Sequence, residues 1–182
     1  ADIQAAKLED VKRFFKKYYA PGNATLAIVG DIDRNRTKAL VQKYFGTLKA
    51  GPQVPKPTVV TPPITSERRA VITDRVELPR VIVAWLTPAM FKPGDADLDV
   101  VARALGGGRA SRLYKSLVYE KQLAQNVFVS QNSTMLASYF SVDVTARPGH
   151  TADEIEAAIH AELARLLESG PDAAEVSLAL NQ

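Results

Sequence analysis

From Leu8 the apolar side chains recur at Leu8, Val11, Phe15 and Tyr18, the three- and four-residue steps of a helix with one apolar stripe. The turn Ala20-Pro21-Gly22-Asn23 ends it. Ala24 to Gly30 is compact, apolar and closed by glycine, which predicts a short buried strand. Asp31-Ile-Asp33 can then cap a helix whose stripe is Leu40, Val41, Tyr44 and Phe45, and Gly46 stops it. The opening unit, residues 1–50, is thus predicted as helix, strand, helix.

Five prolines lie between Gly51 and Pro63 with no periodic pattern, so residues 51–66 read as an extended linker and a domain boundary. In the second unit, 67–182, strands are expected at Arg69 to Asp74 and Val81 to Leu86. A helix from about Asp95 follows, with Leu98, Val101 and Leu105 on one face. After three glycines comes a second helix, capped by Ser111 and turning Leu113 and Leu117 inward. Ala124 to Ser130 and the alternation from Tyr139 to Thr145 predict two more strands, the latter with one wet face. Ile155, Ile159, Leu163, Leu166 and Leu167 mark a last full helix closed by Gly170-Pro171. This order is α+β and favours an antiparallel or mixed sheet covered on one face by helices, while a doubly wound nucleotide fold is disfavoured. The ending Leu178-Ala-Leu-Asn-Gln182 reads as the inside of an amphipathic helix without a cap, so the chain is expected to be cut from a longer parent.

Composition narrows the chemistry. Lys and Arg total 23 against 20 Asp and Glu, a mild excess spread along the chain that argues for neither nucleic acid nor a membrane surface. The absence of cysteine removes disulfides, thiolate zinc sites and cysteine nucleophiles together. No apolar run approaches the roughly 18 residues of a membrane-spanning helix.

The candidate sites are few. Gly106-Gly107-Gly108 follows a helix and lacks the Lys-Ser/Thr of a phosphate loop, so it reads as a tight helix-to-helix turn rather than an anion cradle. His150 and His160 are ten residues apart and lack the spacing of a zinc pair. They are expected to be solvent-facing or incidental, and no metal or catalytic residue is assigned to this chain. No serine has a credible base. Asp95, Asp97 and Asp99 fit the first turn of a helix, where negative charge suits the dipole. The Asn-x-Thr triplets at Asn23, Asn35 and Asn132 receive no function. Arg109, Arg112 and Tyr114 form the polar group open to two readings, a solvated helix start or a contact for a peptide carbonyl or carboxylate.

The segment Leu105-Gly-Gly-Gly-Arg-Ala-Ser-Arg-Leu-Tyr-Lys-Ser-Leu117, followed by Val118-Tyr-Glu-Lys-Gln-Leu-Ala-Gln125, resembles the signature of the second domain in pitrilysin/insulinase-family zinc metallopeptidases. Leu8-Glu-Asp-Val-Lys-Arg-Phe-Phe-Lys-Lys-Tyr-Tyr-Ala-Pro-Gly-Asn-Ala-Thr-Leu-Ala-Ile-Val-Gly-Asp31 resembles a motif near the end of the same family's zinc domain. The resemblance implies that residues 1–50 end a zinc domain whose ligands have already passed, and that 67–182 is most of the following metal-free domain. It also implies a parent built as two halves around a chamber, with zinc in the other half of the polypeptide or in a partner subunit, and peptides as substrates. Arg109, Arg112 and Tyr114 would then be substrate-contact candidates beside the chamber. The signature's arginine and tyrosine fall on Val118 and Gln125, which supply neither charge nor phenol. This chain is therefore expected to complete the chamber of a zinc endopeptidase while being catalytically silent itself. The alternative is a non-catalytic structural or partner subunit of the same fold. For a bacterial parent the implied compartment is the periplasm.

Overall fold

The computed structural model describes residues 2–58 and 64–181, and the part of the expected linker at 59–63 lies outside them. The chain forms two units, Ala1–Pro57 and Thr58–Gln182.

In the first unit a short helix α1 (Asp2–Ala5) precedes α2 (Leu8–Tyr18), and after a single 3₁₀ turn the chain reaches α3 (Arg34–Phe45). Asp10 accepts the backbone N–H of Lys7 at 3.0 Å and so closes the start of α2. The side chain of Asp33 accepts the N–H of Arg36 at 2.6 Å, which satisfies one orphan donor of α3. Both helices lie where the apolar spacing puts them, but no described side chain of this unit is buried. The strand expected at Ala24 to Gly30 does not form. A strand needs a neighbour to take its hydrogen bonds, and this segment pairs with none among the described residues, leaving Val29 96% exposed.

The second unit holds the core. Strands β1 (Arg80–Thr87), β2 (Ala124–Asn132) and β3 (Ser138–Ala146) make an antiparallel sheet in the order β1-β3-β2. Val142 on central β3 pairs with Val83 and Val129, and Val144 pairs with Val81 and Val127. Directly opposed residues share a face, so these valines form one apolar surface. Against it pack α4 (Asp95–Gly106), a π-helix (Tyr114–Glu120) and α5 (Ala152–Ser169), while α6 (Ala173–Leu180) lies on α4. Leu105, Leu113, Leu117, Ile155 and Ile159 are fully buried there, each contributing about 1.5–3 kcal/mol. Among the described residues of this unit no helix covers the opposite face. Ile82, Leu86, Phe128 and Tyr139 stand partly exposed on it, and Arg80 grips Asp143 through two hydrogen bonds, the Nε one at 2.8 Å.

Three expected details differ. Arg69 to Asp74 forms no strand and leaves Val71 and Ile72 almost fully exposed, because it finds no ladder partner among the described residues. Arg69 instead reaches Glu156 on α5 at 2.8 Å. Ser111 does not cap the next helix, because its hydroxyl turns back and donates to the carbonyl of Gly108 at 2.6 Å. Leu167 is exposed, since it sits one step around α5 from buried Leu166.

Asp95 opens α4 with its side chain directed at the sheet rather than at water. Its carboxylate accepts from Ser133 Oγ at 2.6 Å, Gln131 Nε2 at 3.0 Å and the N–H of Phe91 at 3.0 Å. The Ser133 bond, then those from Gln131 and Phe91, hold it below the usual carboxylate range. A depressed carboxylate contributes stability that is present above the unfolded pKa, about 3.9, and is lost as pH falls through the lower folded value. Asp95→Asn should therefore lower the Tm at neutral pH, with the gap to the unmodified chain narrowing as the pH drops below about 4. Thermal unfolding across that range checks it. Gly106→Ala should cost about 1–3 kcal/mol in urea unfolding, because the new Cβ would sit 2.4 Å from Cγ2 of Val129.

Candidate functional site

The end of α4, the glycine turn, the π-helix and the start of β2 form one continuous path along the helical side of the sheet. Gly106 is needed for the close approach of α4 to Val129 of β2. Gly107 caps α4 by donating its N–H to the carbonyl of Arg103 at 2.7 Å. Gly108 has φ +125, a conformation that L side chains rarely adopt. The three glycines thus carry the chain from α4 into the next helix, with a steric reason for glycine at Gly106 and a conformational one at Gly108.

The three polar candidates end in different surroundings. Arg109 is exposed on the turn and makes no hydrogen bond or ion pair with the described residues. Arg112 is engaged within the chain, with Nε 2.5 Å and Nη2 2.7 Å from the Glu175 carboxylate and Nη2 also 2.7 Å from the carbonyl of Gly170. This fork joins the start of the π-helix to the α5–α6 connection. Its hydrogen bonds hold Glu175 below the usual carboxylate range. Tyr114 is half-buried against the core, its ring edge-on to that of Tyr119 with centroids 5.8 Å apart.

Val118 and Gln125 both sit on backbone irregularities. Val118 lies in the π-helix and is buried in the core cluster. Gln125 is exposed between Ala124 and Asn126, where the register shifts, so it is the extra residue of a β-bulge. Between them Gln122 holds φ +53. Arg147 spans this stretch, donating from Nη2 to the carbonyl of Val118 at 3.3 Å and from Nε to that of Ala124 at 3.1 Å. Below the π-helix, Glu162 is buried on α5 and accepts from Ser116 Oγ at 2.7 Å and Arg165 Nη1 at 2.9 Å. Sequence reading singles out none of Arg147, Glu162, Ser116 or Tyr119. For Glu162 a signal exists, because it lies on the stripe of Ile155, Ile159 and Leu166 and a carboxylate on a buried stripe needs partners.

The residues present do not fit a zinc ion. His150 is partly exposed, with Nδ1 enclosed and without a hydrogen-bond partner among the described residues, 3.4 Å from Glu154 Oε2. His160 is exposed, with Nε2 3.8 Å from Glu156. Each histidine thus neighbours a different carboxylate. Among the described residues no three His, Cys, Asp or Glu side chains converge as a metal would require. On the face of the sheet opposite the core a groove of about 290 Å³ is lined by Arg80, Asn126, Phe128, Asp143 and Thr145. No helix among the described residues is long and apolar enough to cross a membrane.

The chain is similar along its full length to the zinc protease PqqE of Helicobacter pylori, at 32% identity, and spans 42% of that protein. It is 35% identical to protein YhjJ of Salmonella typhimurium over 47% of its own length and 17% of that protein. A crystal structure of a protease from Helicobacter pylori superposes with a TM-score of 0.89 at 30% identity, covering 98% of this chain and 44% of the other. A peptidase M16 inactive domain from Pseudomonas fluorescens shares the fold, with a TM-score of 0.74 at 21% identity over 96% of this chain and 42% of the other. The model of the family described as peptidase M16 inactive domain matches residues 5–182. The chain therefore belongs to the M16 peptidase family, in which pitrilysin and insulinase are also grouped, as one of its inactive domains.

Proposed function

We propose that this chain is the metal-free wall of a zinc-dependent endopeptidase, closing the substrate chamber around a zinc-bearing half carried on the same polypeptide or on a partner subunit. In this reading residues 1–50 end the preceding zinc domain, 51–66 link the two, and 67–182 form the inactive domain. The observation that carries it is the match to an inactive domain over residues 5–182, together with a helical face and glycine turn built without any convergent metal-ligand set among the described residues. The similarity to proteins named zinc proteases supports a zinc-bearing parent, and the chain spans less than half the length of those relatives.

The division of labour follows from chemistry. Zinc, when bound in the other half, lowers the pKa of a water and polarises the scissile carbonyl. This chain offers peptides hydrogen-bond donors and apolar surface instead. Exposed Arg109 can donate to a carbonyl or terminal carboxylate, whereas Arg112 is held by Glu175 and acts by fixing the turn on which Arg109 stands.

On its own the chain should hold no stoichiometric zinc and hydrolyse no peptide. Reconstituted with the zinc-bearing half, it should give turnover that a chelator abolishes and added zinc restores. Metal analysis and a fluorogenic peptide assay check this, and chelator-sensitive hydrolysis by the chain alone would overturn it. Peptide binding without hydrolysis in the reconstituted protein would favour the structural-subunit alternative. In an active assembly, Arg109→Ala should raise KM by about fivefold with little change in kcat, the loss of about 1 kcal/mol from one exposed hydrogen bond.

A further inference from the structure

The π-helix decides which side chain comes to the surface at its end. In an α-helix the residue stacked over position i is i+4, whereas a π turn closes on i+5. An α register would set Val118 over Tyr114. The π register sets Tyr119 there, and the rings of Tyr114 and Tyr119 meet edge to face at 5.8 Å. The same shift sends Val118 into the core, where it is 7% exposed, while Tyr119 remains 57% exposed. The surface position is thus occupied by a phenol, although position 118 itself carries valine.

The aromatic pair rests on a firm base. Ser116 is hydrogen-bonded to buried Glu162 from below, and Arg147 holds the carbonyl of Val118 just before Tyr119. Such support keeps a contact surface in one conformation. At its rim Lys115 and Glu120 carry opposite charges 3.9 Å apart. They cancel at a distance, so the pair has no charge preference and its attraction is for apolar or aromatic groups.

We propose that Tyr119, set edge to face against Tyr114, is the specificity-determining residue of this wall and grips an apolar or aromatic side chain of an extended peptide. The proposal rests on the chamber-wall reading for its ligand class, since the relatives that span the whole chain are named proteases. It differs from that reading in the residue and in the type of side chain selected.

The test uses the full-length parent protein with its zinc removed by chelation, so that peptides bind without being cut. Fluorescence anisotropy would follow a labelled, unstructured peptide of about 20 residues carrying one phenylalanine, and the same peptide with alanine in its place; this length matches several strands' worth of extended chain. Tyr119→Ala should weaken binding of the phenylalanine peptide at least fivefold and leave the alanine peptide within twofold. Tyr119→Phe should retain both affinities, because the ring rather than the hydroxyl makes the contact. An unchanged Tm for both variants separates loss of contact from loss of fold, as expected for an exposed side chain. Equal affinity of the unmodified protein and Tyr119→Ala for the phenylalanine peptide overturns the proposal, as does the absence of any peptide binding. Zinc-dependent hydrolysis is read in a separate assay. A protein that cleaves peptides but ignores Tyr119 refutes this inference alone, and one that binds through Tyr119 without cleaving refutes the endopeptidase reading alone.

Discussion

The approach of α4 to β2 at Gly106 governs the layout of the second unit. With no Cβ at that position, the last turn of α4 lies directly on Val129, and the chain must reverse within the next residues to keep Leu113 and Leu117 in the same core as Leu105. The reversal uses the positive φ of Gly108, and the following helix begins with Arg112 anchored to Glu175 and Gly170. A larger residue at 106 would lift α4 from the sheet and move every later element of the path. Close packing between a helix end and a strand is therefore the constraint on which the surface carrying Arg109 and Tyr119 depends.

Where the information was local, the sequence was legible. The periodicity of α2, α3, α4 and α5 places those helices, and the alternation along β3 places the central strand with its valines toward the helices. Ala24 to Gly30 and Arg69 to Asp74 have strand composition, yet a ladder depends on a neighbour that composition does not supply. Arg112 illustrates the same limit for the site: its partner Glu175 is 63 residues away, so the engagement that separates it from Arg109 has no sequence signature. The π register is also hidden, since α and π turns ask for similar residues and differ in which carbonyl each N–H selects. The glycine turn could be read because steric demands for glycine are local.

The two units differ in how much they bury. The second unit buries a complete small core between sheet and helices, whereas the helices of the first keep their apolar stripes partly exposed, with Phe14 and Phe15 about half accessible. A stripe of that kind gains its stability by packing against other structure rather than from helix propensity alone.

The sheet is open at both margins, since β1 and β2 each pair only with β3 among the described residues. Along β1 the unpaired backbone runs beside Ile82, Trp85 and Leu86, all substantially exposed. An edge of this kind is a template for another strand, and Arg80 is the one charged side chain along it. In isolation the chain would meet a colloidal hazard: copies adding edge to edge at high concentration, so that solubility rather than folding would limit its handling.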